Sequence, residues 1–197
     1  LFIFGVKKKN EIFFFFIPSL LIISFLCKQT PTTYGVIAIA LLGLIYLFYV
    51  NNIKNFLLSS IYGSFLSFFI LIFFFYLAKI PISNFLNQYI YFAGSIGDYR
   101  LSNWKIDFFG IIHEFKFILI PFAYSIYLNI IYYKSKTKDD FIILLSINFF
   151  TALMIFHQML TMNENYIFFL IPLLTAFIHT YNANKYSKNI FLYSIIA

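Results

Sequence analysis

The chain has 197 residues, 62% of them hydrophobic and 11% charged, with a formal net charge of +7. Water-soluble domains run near half apolar and a quarter charged, so this composition excludes an ordinary soluble fold. At about 20 apolar residues for each crossing of a roughly 30 Å hydrocarbon core, the length holds about six or seven spans and no sizeable soluble domain. The expected fold class is all-α, a polytopic transmembrane helical bundle forming a single integral membrane domain over residues 1–197.

The chain begins at Leu1 without Met and stops inside the apolar run Ile195-Ile196-Ala197, which predicts a longer protein. No small-residue cleavage site follows the first apolar run before Lys28, so the start is not read as a signal peptide. Apolar segments then fall at 12–27, 35–50, 56–78, 115–133, 141–162 and 166–181, and a seventh starts near 190. Pro18, Pro121 and Pro172 lie within spans, where they read as packing kinks. Phe runs such as Phe13-Phe14-Phe15-Phe16 are read as the product of A/T-rich coding, because Phe serves about as well as Leu in lipid. The single cysteine, Cys27, offers neither an internal disulfide nor a metal pattern.

Lysines set the expected orientation. One side receives Lys7, Lys8, Lys9, Lys54, Lys134, Lys136, Lys138, Lys185 and Lys188; the other receives Lys28, Lys79, Arg100, Lys105 and Lys116. The richer side is expected to be cytoplasmic. Lysines near acidic head groups then account for the basic charge, and no nucleic-acid motif is present.

This topology places the longest connection, residues 79–114, outside the cytoplasm, where a loop of that length is expected to be functional. It carries Gly94-Ser95-Ile96-Gly97-Asp98-Tyr99-Arg100, then Ser102-Asn103-Trp104-Lys105-Ile106-Asp107, then His113-Glu114-Phe115-Lys116. Residues 108–116 are expected to form an amphipathic helix in the interface. A second, short connection holds Thr161, Met162, Asn163, Glu164 and Asn165, with His157 and Gln158 one to two turns earlier. A continuous helix puts His157, Thr161 and Glu164 on one face.

Arg100 is the only arginine beside 13 lysines. A guanidinium holds a phosphate through two parallel hydrogen bonds, although an interfacial arginine also binds head groups or pairs with a carboxylate such as Asp98. Asp98, Asp107, Glu114 and Glu164 are candidate bases toward a sugar hydroxyl, or helix caps and ion-pair partners. His113 and His157 have the side chain for acid–base work near neutral pH, or for a structural hydrogen bond. The acids match no defined metal spacing, and no cofactor is expected. Gln88, Tyr89 and Tyr91 are secondary candidates for sugar contact.

The layout resembles the EpsG-like and Wzy-type membrane polysaccharide polymerases. The resemblance covers about residues 60–185: a long extracytoplasmic loop with the isolated Arg100, and the run His157-Gln158-Met159-Leu160-Thr161-Met162-Asn163-Glu164-Asn165 before the aromatic-rich span Tyr166–Pro172. The family commonly carries an Arg in that second turn, where this chain has Asn163-Glu164-Asn165. The resemblance implies joining of undecaprenyl-diphosphate-linked oligosaccharide units into an O-antigen, capsule or exopolysaccharide at a bacterial cytoplasmic membrane, with polysaccharide assembly proteins as partners. Catalytic roles fall to Arg100, Asp98, His157 and Glu164, and substrate contact to Tyr99, Lys105, His113 and Gln158. Three alternatives stay open. They are a transporter or flippase for a lipid-linked or small anionic solute, a polyprenyl-phosphate-dependent glycosyltransferase, and a non-catalytic assembly subunit or gene fragment.

Overall fold

The structure, a computed structural model, describes residues 1–49, 53–102, 108–134, 138–161 and 168–185. All regular secondary structure among the described residues is helical. Three helices contain stretches long and apolar enough to cross a membrane, Lys54–Leu77, Phe109–Tyr133 and Lys138–Leu160, and shorter apolar helices accompany them. The chain divides into two compact units, Leu1–Trp104 and Lys105–Ala197.

The first unit opens with α1 (Phe2–Lys8), which stops at Lys9 in a left-handed conformation, φ 51°. The next helix, α2 (Glu11–Cys27), is capped by Asn10, whose side chain accepts from the Ile12 amide at 2.9 Å. Pro18 sits inside α2 and withholds one amide from the helical ladder. One extended residue, Lys28, separates α2 from α3 (Gln29–Leu47). The start of α3 extends beyond the apolar run, and there the Thr32 and Thr33 hydroxyls donate to the carbonyls of Lys28 and Gln29.

The 25-residue α4 (Ile53–Leu77) packs on α2 along a seam of small residues. A Cβ at Gly63 would collide with the Phe15 carbonyl, and the Ser19 and Ser67 hydroxyls bond across the seam at 2.6 Å. Small residues bring helix backbones close where lipid removes any hydrophobic drive for association. Away from this seam α4 exposes Phe65, Phe69, Phe73 and Phe74. At the end of the unit nearest Lys9, the rings of Phe2, Phe14, Tyr46 and Phe56 form a buried cluster, with Phe14 and Phe56 edge-to-face at 4.9 Å.

The connection from residue 79 onward is largely helical. Lys79, left-handed at φ 53°, ends α4, and Pro81 starts α5 (Ile82–Leu86). A π-helical turn, Asn87–Tyr91, leads into α6 (Phe92–Ser102). Phe85 packs on Phe75, and Tyr89 stacks on Phe85 at 5.0 Å and reaches the Leu26 carbonyl at 3.5 Å. Gly94 and Gly97, which read as turn residues, lie inside α6 without positive φ.

In the second unit, α7 (Phe108–Lys134) packs against both α8 (Lys138–Thr161) and α9 (Leu170–Lys185). Residues 108–116 are the first turns of α7 and not a separate interfacial helix. At 1.5 Å per residue its 27 residues span about 40 Å, longer than the hydrocarbon core. Half of the α8 span is buried, against 17% of the α4 span, so α8 is a core helix while most of α4 is exposed. Fully buried Phe115, Ile118, Ile142, Leu144 and Leu174 form the apolar part of this unit.

Candidate functional site

In the first unit, the candidates lie on α6. Asp98, Tyr99 and Arg100 are all exposed. Positions i and i+2 do not face each other on a helix, which explains why Asp98 and Arg100 form no ion pair among the described residues. The Arg100 guanidinium instead lies close enough to act electrostatically on the Tyr34 hydroxyl, near the start of α3. Of the tyrosines considered for sugar contact, Tyr89 is packed as described above, whereas Tyr91 is 67% exposed.

Beside this end of the unit runs an apolar slot between α2, α3 and α4. It has a volume of about 720 Å³ and is lined by residues including Leu21, Phe25, Val36, Ser64 and Phe68, with Phe85 of α5 over one end. A second cavity of about 370 Å³ shares Pro18, Leu21, Val36 and Ser64 with it and continues to Tyr46 and Phe56. The slot exists because the small-residue seam draws α2 and α4 together while α3 packs on α2.

In the second unit, hydrogen bonds fix the register of the α7–α8 hairpin. Asn129 Nδ2 donates to the Phe141 carbonyl at 2.9 Å, and Asn148 Nδ2 donates to the Ser125 carbonyl at 3.3 Å. Continuing that antiparallel register sets His157 and Gln158 opposite Phe115. Thus His113 and His157 lie at the same end of the hairpin. They differ in burial: His157 and Gln158 are 5% and 4% exposed, while His113 and Glu114 are exposed on α7. Lys116, also exposed, stands 5.2 Å from the Phe117 ring centre. Lys105, Asp107 and Glu164 lie outside the described residues, and so does the turn that follows Thr161.

Two groupings were missed in the sequence. The first is a file of buried neutral polar residues in the second unit: Ser125, Asn129, Ser146, Asn148 and Thr151. Ser125 Oγ and Asn148 Oδ1 have no hydrogen-bond partner there. The signal was present in the i, i+4 spacing of Ser125 and Asn129 and the i, i+3 spacing of Asn148 and Thr151, because polar residues on one face of an apolar helix mark a helix interface. The second joins Tyr132, Asp140 and Tyr181 at the opposite end of the hairpin from His157. Tyr132 donates to the Tyr181 carbonyl at 3.1 Å, and the Asp140 carboxylate lies close enough to act electrostatically on both tyrosines. Among the described residues no group of three or more His, Cys, Asp or Glu side chains is arranged to hold a metal ion.

No protein-family model matches the chain, and neither a curated protein nor a solved structure is similar to it.

Proposed function

We propose that the protein joins lipid-linked oligosaccharide units at a bacterial cytoplasmic membrane, transferring a growing glycan from a polyprenyl diphosphate to the next unit. The reading includes about six complete spans, with the Lys7–Lys9 end cytoplasmic and residues 79–114 on the outer face. The observation that carries it is Arg100: the only arginine, exposed on α6 with no carboxylate of the described residues paired to it. An arginine in that setting suits two phosphate oxygens at once. In this mechanism Arg100 neutralises the departing diphosphate, and electrostatic stabilisation of developing charge is commonly the largest catalytic contribution. Asp98, on the same helix, orients or deprotonates the acceptor hydroxyl, with Tyr99 contacting the substrate.

The test is the surface glycan made by a deletion strain carrying wild-type or Arg100→Ala protein. The deletion is expected to leave single repeat units without polymer, and Arg100→Ala to fail to restore chain length although it is inserted in the membrane. Unchanged polymer length and yield with Arg100→Ala would remove the assigned role.

One observation favours a second reading, a transporter or flippase for a lipid-linked or small anionic solute. The file of buried polar residues between α7 and α8 is the type of lining that solute paths use. The same glycan assay separates the two, since loss of a flippase abolishes surface units altogether. Loss of one branch sugar from an otherwise intact polymer would point to a decorating glycosyltransferase.

A further inference from the structure

Two stranded acceptors in the second unit lie beside the weakest point of α7. Elsewhere in the apolar helices Ser64, Ser67 and Ser146 each donate to the carbonyl four residues before. Ser125 does not, and its Oγ has no partner among the described residues. Neither has Asn148 Oδ1, although Nδ2 of the same side chain donates to the Ser125 carbonyl at 3.3 Å. The two atoms thus belong to residues in contact across the α7–α8 seam, and both are sealed from water. A buried acceptor without a donor has lost its hydration and gained nothing in exchange.

One turn before Ser125 stands Pro121, which has no amide to give the Phe117 carbonyl. The helix continues through it with one bond fewer, and such prolines are where helices bend. The half of α7 before Pro121 is also lightly packed. Phe115 and Ile118 are buried there, whereas Phe109, Ile112, Phe117 and Ile120 are each more than half exposed. On the facing helix Asn148, Thr151 and Gln158 are buried and share one side at i, i+3 and i+10. The hydrogen-bonded register sets Thr151 level with Pro121, and Gln158 lies about 15 Å from Asn148 along α8.

We propose that α7 bends at Pro121 and opens the α7–α8 seam to water from the Gln158 end, along a crevice that reaches Ser125 and Asn148. Entering water supplies a donor to both acceptors, and each one satisfied favours the open form about fivefold or more. The hinge breaks no helical bond at Pro121, because that bond is already missing. Phe115 and Ile118 hold the closed form, since they leave their packing when the half-helix swings away. The crevice is independent of the chemistry assigned to Arg100, which lies in the other unit, and it opens whether or not a solute crosses.

The test is cysteine accessibility on the full chain in phospholipid vesicles, with a charged, membrane-impermeant methanethiosulfonate on both sides. Cys27, which is exposed, is replaced by serine, so that Thr151→Cys is the one reporter, buried and level with the hinge. It is expected to react at least tenfold faster than Leu174→Cys, a fully buried position on α9 that reports general unfolding. Adding Ser125→Ala takes one stranded acceptor out of the closed form and is expected to slow the Thr151→Cys reaction about fivefold. Pro121→Ala restores the amide at the hinge and is expected to slow it as well. Gln158→Cys, nearer the mouth, is a second reporter expected to respond to both substitutions in the same way. Equal rates at Thr151→Cys and Leu174→Cys would mean general unfolding and overturn the proposal. If either Ser125→Ala or Pro121→Ala leaves both reporter rates unchanged, the stranded pair or the hinge is not what opens the seam, and the proposal fails.

Discussion

Gly63→Ala tests the contact that organises the first unit. In an isolated helix the change stabilises by about 1 kcal/mol. Here the new methyl group meets the backbone carbonyl of Phe15, which no rotamer change moves aside. Restoring ordinary contact requires α2 and α4 to part by more than an ångström, and overpacking of that kind costs about 1–3 kcal/mol. The parting also breaks the 2.6 Å bond between Ser19 and Ser67. Such bonds contribute about 0.6 kcal/mol between helices in lipid. Gly63→Ala is therefore expected to be net destabilising by about 1–2 kcal/mol, lowering the thermal midpoint by about 2–8 °C. The assay is the fraction of monodisperse protein after heating in mild detergent. Gly43→Ala is the control, because a Cβ there meets nothing within 4 Å. It is expected to hold or raise the midpoint. If both alanines behave alike, the close α2–α4 approach is not what holds the unit together.

Phe14→Ala opens the buried ring cluster and is expected to cost about 3 kcal/mol, whereas Phe69→Ala on the exposed side of α4 stays within about 0.5 kcal/mol; the same heating assay compares them. Ser125→Ala removes a fully buried hydroxyl oxygen that has no partner. It is expected to stabilise by about 1 kcal/mol, and a loss of stability would show that the hydroxyl makes a favourable bond. Tyr132→Phe deletes the donor to the Tyr181 carbonyl and is expected to cost about 1 kcal/mol, read from the thermal midpoint in detergent.

Hydropathy located the helices well where apolar runs meet abrupt polar breaks: the run at 12–27 matches α2 and the run at 56–78 matches α4. It located their ends poorly where a helix runs on into polar residues. Thr32 and Thr33 lie in the first turns of α3, before the apolar run begins. The glycines of α6 gave a further misleading signal. Isolated glycines weaken a helix by about 1 kcal/mol each, yet they do not end it when the flanking residues keep helical geometry. Composition also could not sort the Phe rings, because the same side chain is exposed on α4 at Phe65, Phe69 and Phe73 and buried on α2 at Phe14. Of the candidate site, Arg100 on an exposed segment was legible from its rarity. The burial of His157 and Gln158 was not, since it depends on how α8 packs against α7.

The bond between Ser19 and Ser67 also bears on how the protein is made. Its two partners are 48 residues apart, with the whole of α3 between them. At about 5–20 residues per second, α2 leaves the ribosome roughly 2–10 s before its partner helix is synthesised. During that interval the Ser19 hydroxyl has its own helix's Phe15 carbonyl as a local acceptor. That carbonyl is also the group that later approaches Gly63. The seam is thus a late joint, one that closes only after α4 has been synthesised.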